Sequence, residues 1–210
     1  MNEECLLCGE MGFVFYDKGK QNFFQCPNCK ALFVGKSNLP DRQTEKERYE
    51  EHNNDIYDTR YQEFVNPIVS AVLSTFSDDD EGLDFGSGTG PVISKLLKDQ
   101  GYNIVKYDPF FHNTPAVLQK KYDYIACCEV IEHFHQPFQE FELLFSLLKP
   151  GGKLFCMTEL YDSSINFPSW QYKNDQTHVI IYQEETIEWV REKIGFSTVD
   201  IENRLITFAS

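Results

Sequence analysis

Two C-x-x-C pairs open the chain, Cys5-Leu6-Leu7-Cys8 and Cys26-Pro27-Asn28-Cys29. Their separation falls within the ~15–20 residues expected of a four-cysteine zinc site, where each pair lets two thiolates converge on one tetrahedral ion. Gly9, just past the first pair, suits the tight turn of such a knuckle. A disulfide framework is disfavoured because no secretory leader is expected, and a redox C-x-x-C because two matched pairs are present. A second group is Glu129-Val130-Ile131-Glu132-His133. One turn of chain would return Glu132 and His133 to the side of Glu129, so that two carboxylates and an imidazole face one point. The third is the glycine run Asp84-Phe85-Gly86-Ser87-Gly88-Thr89-Gly90. Glycines at alternate positions permit positive φ and remove the Cβ atoms that would keep a ligand off the backbone.

These residues need elements to hold them. Gly82 to Phe85 is short and apolar enough for a buried parallel strand, and Val92, Ile93, Leu96 and Leu97 share one helical face after Pro91, so the glycine run joins a strand to a helix with unpaired N–H groups. Asn103 to Tyr107 predicts the next strand and ends in Asp108-Pro109, about twenty residues on, where a ribose-binding acid belongs. Little chain separates Asp108 from Tyr122, so the second crossover must be abbreviated. Tyr122 to Cys128 reads as a buried strand running into Glu129, and Pro137 to Leu148 as a helix. Lys149 to Gly152 reads as a turn and Lys153 to Met157 as a strand. The long irregular stretch Glu159 to Thr177 is of the kind that is usually functional. Glu184 to Ile194 predicts a helix capped by Gly195, and Phe196 to Ile201 with Arg204 to Phe208 a closing antiparallel hairpin.

Upstream, Phe13 to Tyr16 and Phe23 to Gln25 flank an Asp17 to Lys20 turn as a hairpin, completing a zinc ribbon in which the metal replaces a core too small to fold alone. Ser37 to Asp41 is a polar linker. Arg42 to Asn54 predicts a solvated helix in which Tyr49, His52 and Asn53 stand out, and the spacing of Tyr57, Tyr61, Phe64, Val65, Ile68, Val69, Val72, Leu73 and Phe76 predicts an amphipathic helix packed on the sheet. Cys127, Cys128 and Cys156 fall in buried strands and act as small apolar residues.

An acid before G-x-G-x-G, a strand followed by E-x-x-E-H, and L-K-P-G-G before a strand resemble the class I S-adenosylmethionine (SAM) methyltransferases, and particularly the ubiquinone-biosynthesis O-methyltransferases, loosely the benzoquinol methylases. The resemblance runs from about Asp55 to the C-terminus. It implies an α/β fold, a Rossmann-like doubly wound sheet with a reversed last strand, with SAM beyond the carboxyl ends of the strands. It implies that Asp84 fixes the SAM amino group, that Phe85, Gly86, Ser87, Gly88 and Gly90 carry its methionine part, and that Asp108 and Pro109 meet the ribose. Cys128 and Glu129 complete the cofactor site. No acid stands between Asp108 and Asp123 to contact adenine, leaving Phe110, Phe111 and backbone groups. In the resembling enzymes E-x-x-E-H is associated with magnesium, and the stretch matching Trp170 to Val179 borders the acceptor pocket. His133 is then the leading general base, with His178 second and Glu129 beside them, since an unperturbed imidazole titrates near ~6.5. The alternative reading is that His133 holds the strand-to-helix turn alone.

The chain divides into a ribbon (1–36), a linker and helical lid (37–77) and the SAM-binding domain (78–210). With 33 acidic against 19 basic residues, a net charge of −14 and a pI near 4.7, its field repels a phosphate backbone, and no basic cluster offsets it. The expected activity is methyl transfer to a small-molecule acceptor by a soluble, cytoplasmic protein. The alternatives are an RNA methyltransferase that uses the ribbon as a clamp, and a non-catalytic SAM-binding module whose ribbon docks a partner.

Overall fold

The computed structural model describes residues 2–18, 22–51 and 54–210. In chain order the first elements are β1 (Asn2–Glu4), β2 (Met11–Asp17), β3 (Asn22–Gln25), β4 (Leu32–Val34), α1 (Arg42–Glu51) and α2 (Thr59–Thr75). Then come β5 (Glu81–Phe85), α3 (Val92–Asp99), β6 (Asn103–Tyr107), β7 (Tyr122–Cys128), α4 (Pro137–Ser146) and β8 (Leu148–Met157). The chain closes with β9 (Ile180–Ile181), α5 (Glu184–Ile194), β10 (Thr198–Glu202) and β11 (Leu205–Ala209).

The larger sheet has the order β10-β11-β8-β7-β5-β6. β6, β5, β7 and β8 run parallel, and β11 is antiparallel to both β8 and β10, which is the doubly wound sheet with a reversed last strand. The chain reverses outward from β5 to β6 and inward from β6 to β7, so the carboxyl ends of β5 and β7 flank a crevice. The abbreviated crossover is a short helical turn, Pro115–Gln119, with no strand of its own. Lys149 to Gly152 lies inside β8 rather than before it. The register jumps from Tyr122↔Leu148 to Tyr124↔Lys153, so those residues bulge out of an otherwise continuous strand.

The ribbon is a hairpin of β2 and β3 extended by β1 and β4; Gly19 and Lys20 of the expected Asp17 to Lys20 turn lie outside the described residues. It does not have a core of its own. β4 pairs with β9, a strand supplied from beyond β8, and the apolar cluster runs without a break from Cys26, Leu32 and Phe33 through Ile180 and Tyr182 to Phe141 of α4 and Leu154 of the large sheet. Phe167, in the stretch between β8 and β9, packs edge-on against Phe15 and Phe23 of the hairpin at centroid distances of 5.0 and 5.2 Å. Separate ribbon and sheet cores are therefore ruled out.

α2 buries Val65, Ile68, Val69 and Val72 against the sheet through the predicted apolar stripe, while Tyr57 lies before the helix and is exposed. α1 buries nothing. His52 and Asn53 lie outside the described residues. Polar and ring contacts bring α1 to the site end of the sheet: Arg42 donates to the Pro109 carbonyl, Glu45 sits 3.3 Å from His135, the Arg48 guanidinium holds the Asp175 carboxylate at 2.8 Å, and the Tyr49 ring packs edge-on against Phe110 and His133 at 5.5 and 5.2 Å. Arg48→Met should therefore raise amide exchange across residues 42–51 by about five- to tenfold without altering exchange in α2. Equal rates in α1 by exchange mass spectrometry would show that the ion pair does not hold it.

Candidate functional site

A cavity of about 1020 Å³ opens at the carboxyl ends of β5, β6 and β7. Phe85, Gly86, Ser87, Gly88, Asp108, Pro109, Cys128, Glu129, His133 and His178 all line it. Gly86 is forced by its place: φ is +74°, and a Cβ there would come within 2.4 Å of Val130, so the glycine turn and the turn after β7 can meet only at a bare backbone. Gly90 lies outside the cavity, packed under Asn54, whose carbonyl would stand 1.6 Å from a Cβ. Asp108 accepts hydrogen bonds from the Phe110 and Phe111 amides at 2.8 and 3.0 Å and from the Gly88 amide at 2.9 Å, which joins the end of β6 to the glycine turn.

Asp84 does not reach the cavity. Its carboxylate accepts from the Ser94 amide and hydroxyl at 3.2 and 2.7 Å, so it ties β5 to the first turn of α3. Burial outweighs those hydrogen bonds and raises its pKa to about 6.

The E-x-x-E-H residues split. Glu129 is a non-glycine with φ of +51°, a conformation that costs energy and is found where a site demands it. It turns the carboxylate to Arg204, 2.8 Å away, rather than back toward Glu132. Burial, then the nearby Glu132 charge, raise the Glu129 pKa to about 8 against the pull of Arg204. Glu132 is fully buried in the turn Ile131–His133 and accepts from Tyr172 and Thr158 at 2.7 and 3.1 Å. What joins Glu132 and His133 is His178, their ligand atoms all lying within 4.8 Å of one another. One carboxylate and two imidazoles are not the oxygen-rich set that magnesium takes, so the expected magnesium site at Glu129, Glu132 and His133 is not assembled.

Both imidazoles are held by backbone. His133 Nδ1 lies 2.8 Å from the Thr177 carbonyl and His178 Nδ1 2.8 Å from the Tyr172 carbonyl. A carbonyl only accepts, so both Nδ1 atoms carry their hydrogens and both Nε2 atoms present lone pairs. Burial depresses the pKa of each, His178 to about 3, with the His133 charge adding to the effect. Both rings are neutral at neutral pH. The Asp175 carboxyl, by contrast, is held well below its usual range despite burial, by Arg48 and Thr177. His178 gives a stability prediction: its folded-state pKa lies below the unfolded 6.5, so the unfolded chain takes up a proton first as pH falls. Relative to His178→Gln, the wild type should lose about 1.4 kcal/mol of stability per pH unit below 6.5. Denaturant titrations of both chains at pH 7.5, 6.5 and 5.5 test this, and parallel pH profiles would remove His178 as a buried neutral imidazole.

The four knuckle cysteines also converge. Cys5 and Cys29 Sγ lie 3.5 Å apart and Cys8 and Cys26 Sγ 3.3 Å apart, with all four within 4.8 Å. A tetrahedron of Zn–S bonds has edges of about 3.8 Å, so the arrangement fits one such ion. Hydrogen bonds from Cys29 and Cys5 push the Cys8 thiol well below its ordinary range, while contacts with Cys5 and Cys8 push Cys29 well above it.

The parallel sheet, the glycine turn at its switch point and the acid ending the next strand define a nucleotide-cofactor enzyme of the class I methyltransferase type. Residues 57–201 match the family model described as a methyltransferase domain, and the chain belongs to that family. Among curated proteins it is similar to the ubiquinone biosynthesis O-methyltransferase of Actinobacillus pleuropneumoniae serotype 7, 28% identical over 95 residues, 43% of this chain and 41% of that protein. The protein of the same name from Histophilus somni is 31% identical over 81 residues, 37% of this chain and 34% of its own length. The chain thus matches well under half the length of these relatives. In fold it is similar to the Burkholderia thailandensis 1,6-didemethyltoxoflavin-N1-methyltransferase solved with 1,6-didemethyltoxoflavin and S-adenosylhomocysteine (SAH), with a TM-score of 0.58, 13% identity, and coverage of 94% of this chain and 98% of that one. A SAM-dependent methyltransferase from Archaeoglobus fulgidus gives a TM-score of 0.53 at 22% identity, covering 67% and 72%.

Proposed function

We propose that the chain is a SAM-dependent methyltransferase of a small-molecule acceptor, with a ribbon (1–36) braced by structural zinc on Cys5, Cys8, Cys26 and Cys29, a helical lid (37–77) and a cofactor-binding domain (78–210). The observation that carries the reading is one cavity lined by the glycine turn, Asp108, His133 and His178 together. The Ser87 hydroxyl is buried with no partner among the described residues, a donor left over in the glycine turn that fits a ligand there. Gly86, Ser87 and Gly88 would hold the methionine part of SAM, Asp108 the ribose, and Phe110 and Phe111 the adenine. Asp84 holds the loop from beneath. When bound, SAM supplies an electrophilic methyl group on a sulfonium.

The protein positions the acceptor and removes its proton. His133 Nε2 accepts that proton, its Nδ1 hydrogen remaining on the Thr177 carbonyl, and the Glu132 carboxylate, 4.0 Å from Nε2, stabilises the imidazolium that forms. His178 stands beside it at a ring-centroid distance of 4.9 Å. Arg204 pairs with the Glu129 carboxylate at 2.8 Å.

The test is SAH binding followed by transfer of labelled methyl from SAM to a panel of phenols, amines and hydroxy acids. SAH binding with transfer to one acceptor is expected, and a chain that binds neither SAM nor SAH ends the reading. Asp108→Asn should weaken SAH binding about 10- to 100-fold, the effect of losing charge-assisted hydrogen bonds. Unchanged affinity by calorimetry would take Asp108 out of the cofactor site.

A further inference from the structure

A second cavity, about 1350 Å³, lies on the other side of His178. Pro40, Tyr172, Asp175 and His178 line both cavities, so the two meet at the imidazole proposed to flank the reacting centre. The outer wall of the second cavity comes from the ribbon, through Tyr16, Lys18 and Phe23, and its floor from the segment between β8 and β9.

Lys173 lies in that floor, only 8% exposed. Lysine is rarely buried so deeply without a counter-charge. In a chain with 33 acidic residues, no carboxylate among the described residues comes within ion-pair distance of its ammonium. Its contacts are neutral: the Asn174 side-chain oxygen at 2.7 Å and the face of the Tyr16 ring at 5.4 Å. The acids nearest in the cavity are committed elsewhere, Asp175 and Glu51 to Arg48, and Glu159 to Arg204 and the Trp170 indole. A lysine only 8% exposed, whose ammonium meets only neutral partners beside a cavity that opens onto the reacting centre, is arranged for an anion carried by the substrate.

We propose that the methyl acceptor is an anionic small molecule that binds across both cavities, its nucleophile at His133 and His178 and its carboxylate or phosphate group on Lys173 against the ribbon wall. The proposal rests on the reading of the first cavity as the methyl-donor site, and it gives the ribbon a part in acceptor recognition beyond structural support. The required acceptor is extended, since its two ends occupy different cavities.

Trp170 lines the second cavity, and the chain has only two tryptophans, so in a Trp189→Phe background the emission reports that cavity. The protein, saturated with SAH, is titrated with inorganic phosphate and separately with benzoate at ionic strength fixed with sodium chloride. A saturable change in emission with one of them is expected, and which one responds identifies the anionic group as phosphate or carboxylate. Lys173→Met and Lys173→Gln should raise the midpoint about tenfold or more, Lys173→Arg much less, with SAH affinity unchanged in all three. Failure of the parent to bind SAH would bring down the methyltransferase reading. SAH binding with no saturable response to either anion, or responses in Lys173→Met and Lys173→Gln equal to the parent, would overturn the anionic acceptor alone. Should both neutral variants misfold, the titration of the parent decides by itself.

Discussion

Cys26→Ser is expected to unfold the chain as one unit and to abolish SAH binding with it. Cys26 is fully buried, and the strand that follows it, β4, is hydrogen-bonded to β9. The residues flanking β9 reach the proposed catalytic turn directly: the Val179 amide donates to the Glu132 carbonyl at 2.9 Å and the Tyr182 hydroxyl to the Ile131 carbonyl at 2.8 Å. Loosening the metal knuckle therefore loosens β4, then β9, then the backbone that presents Glu132 and His133. Structural zinc contributes about 10–16 kcal/mol in small metal-folded peptides, as much as the whole stability of a typical domain at about 5–15 kcal/mol. Loss of one thiolate ligand, or chelation of the metal, should give a single transition at lower temperature by near-ultraviolet dichroism, accompanied by loss of SAH binding in calorimetry. Two separate transitions with SAH affinity intact would show that the ribbon melts alone despite the shared core.

The local signals in the sequence are strong where one short stretch contains its own reason. The glycine turn between β5 and α3, the cysteine knuckles, the Gly195 cap with φ of +101° and the closing hairpin are legible because turn chemistry and periodicity act over a few residues. What was not legible is set by partners far along the chain. β9 is two residues long and exists because β4 lies beside it, with no periodicity to announce it. The turn at Glu129 could be expected to gather both carboxylates, but its positive φ and the charge of Arg204, which follows β10, send Glu129 the other way. The Asp84 carboxylate goes to Ser94 because a buried strand-end acid needs the nearest donor, and a serine on α3 supplies it. His178 enters the cluster only through the fold of the stretch before β9, although the W-x-Y-x-x-D-x-T-H-V pattern singled it out. Lys173 lies inside that pattern too, and only its burial shows that it differs from an ordinary surface lysine.

His133→Ala should lower kcat by about 10²- to 10⁴-fold once an acceptor is in hand, the usual contribution of a positioned base. The size of the loss follows from the ring's state. With Nδ1 fixed on Thr177 and burial holding the ring neutral, Nε2 is a free acceptor at neutral pH and gains a stabilising neighbour in Glu132 only when it becomes charged. Glu132→Gln should accordingly lower kcat as well, its amide oxygen still accepting from Tyr172 while its NH2 group meets the Thr158 hydroxyl, which can turn to accept. His178→Gln, which leaves His133 in place, should lower it less. SAH affinity should stay within about twofold in all three, because none of these side chains belongs to the glycine turn or to the end of β6, and transition-state stabilisation alone is lost. Acceptors that are already ionised at the assay pH need no base, so the deficit of His133→Ala should shrink as acceptor pKa falls. A His133→Ala chain that transfers methyl at the wild-type rate to an un-ionised acceptor would leave His133 the role of holding the turn after β7, and the proton would have to leave by His178 or by solvent.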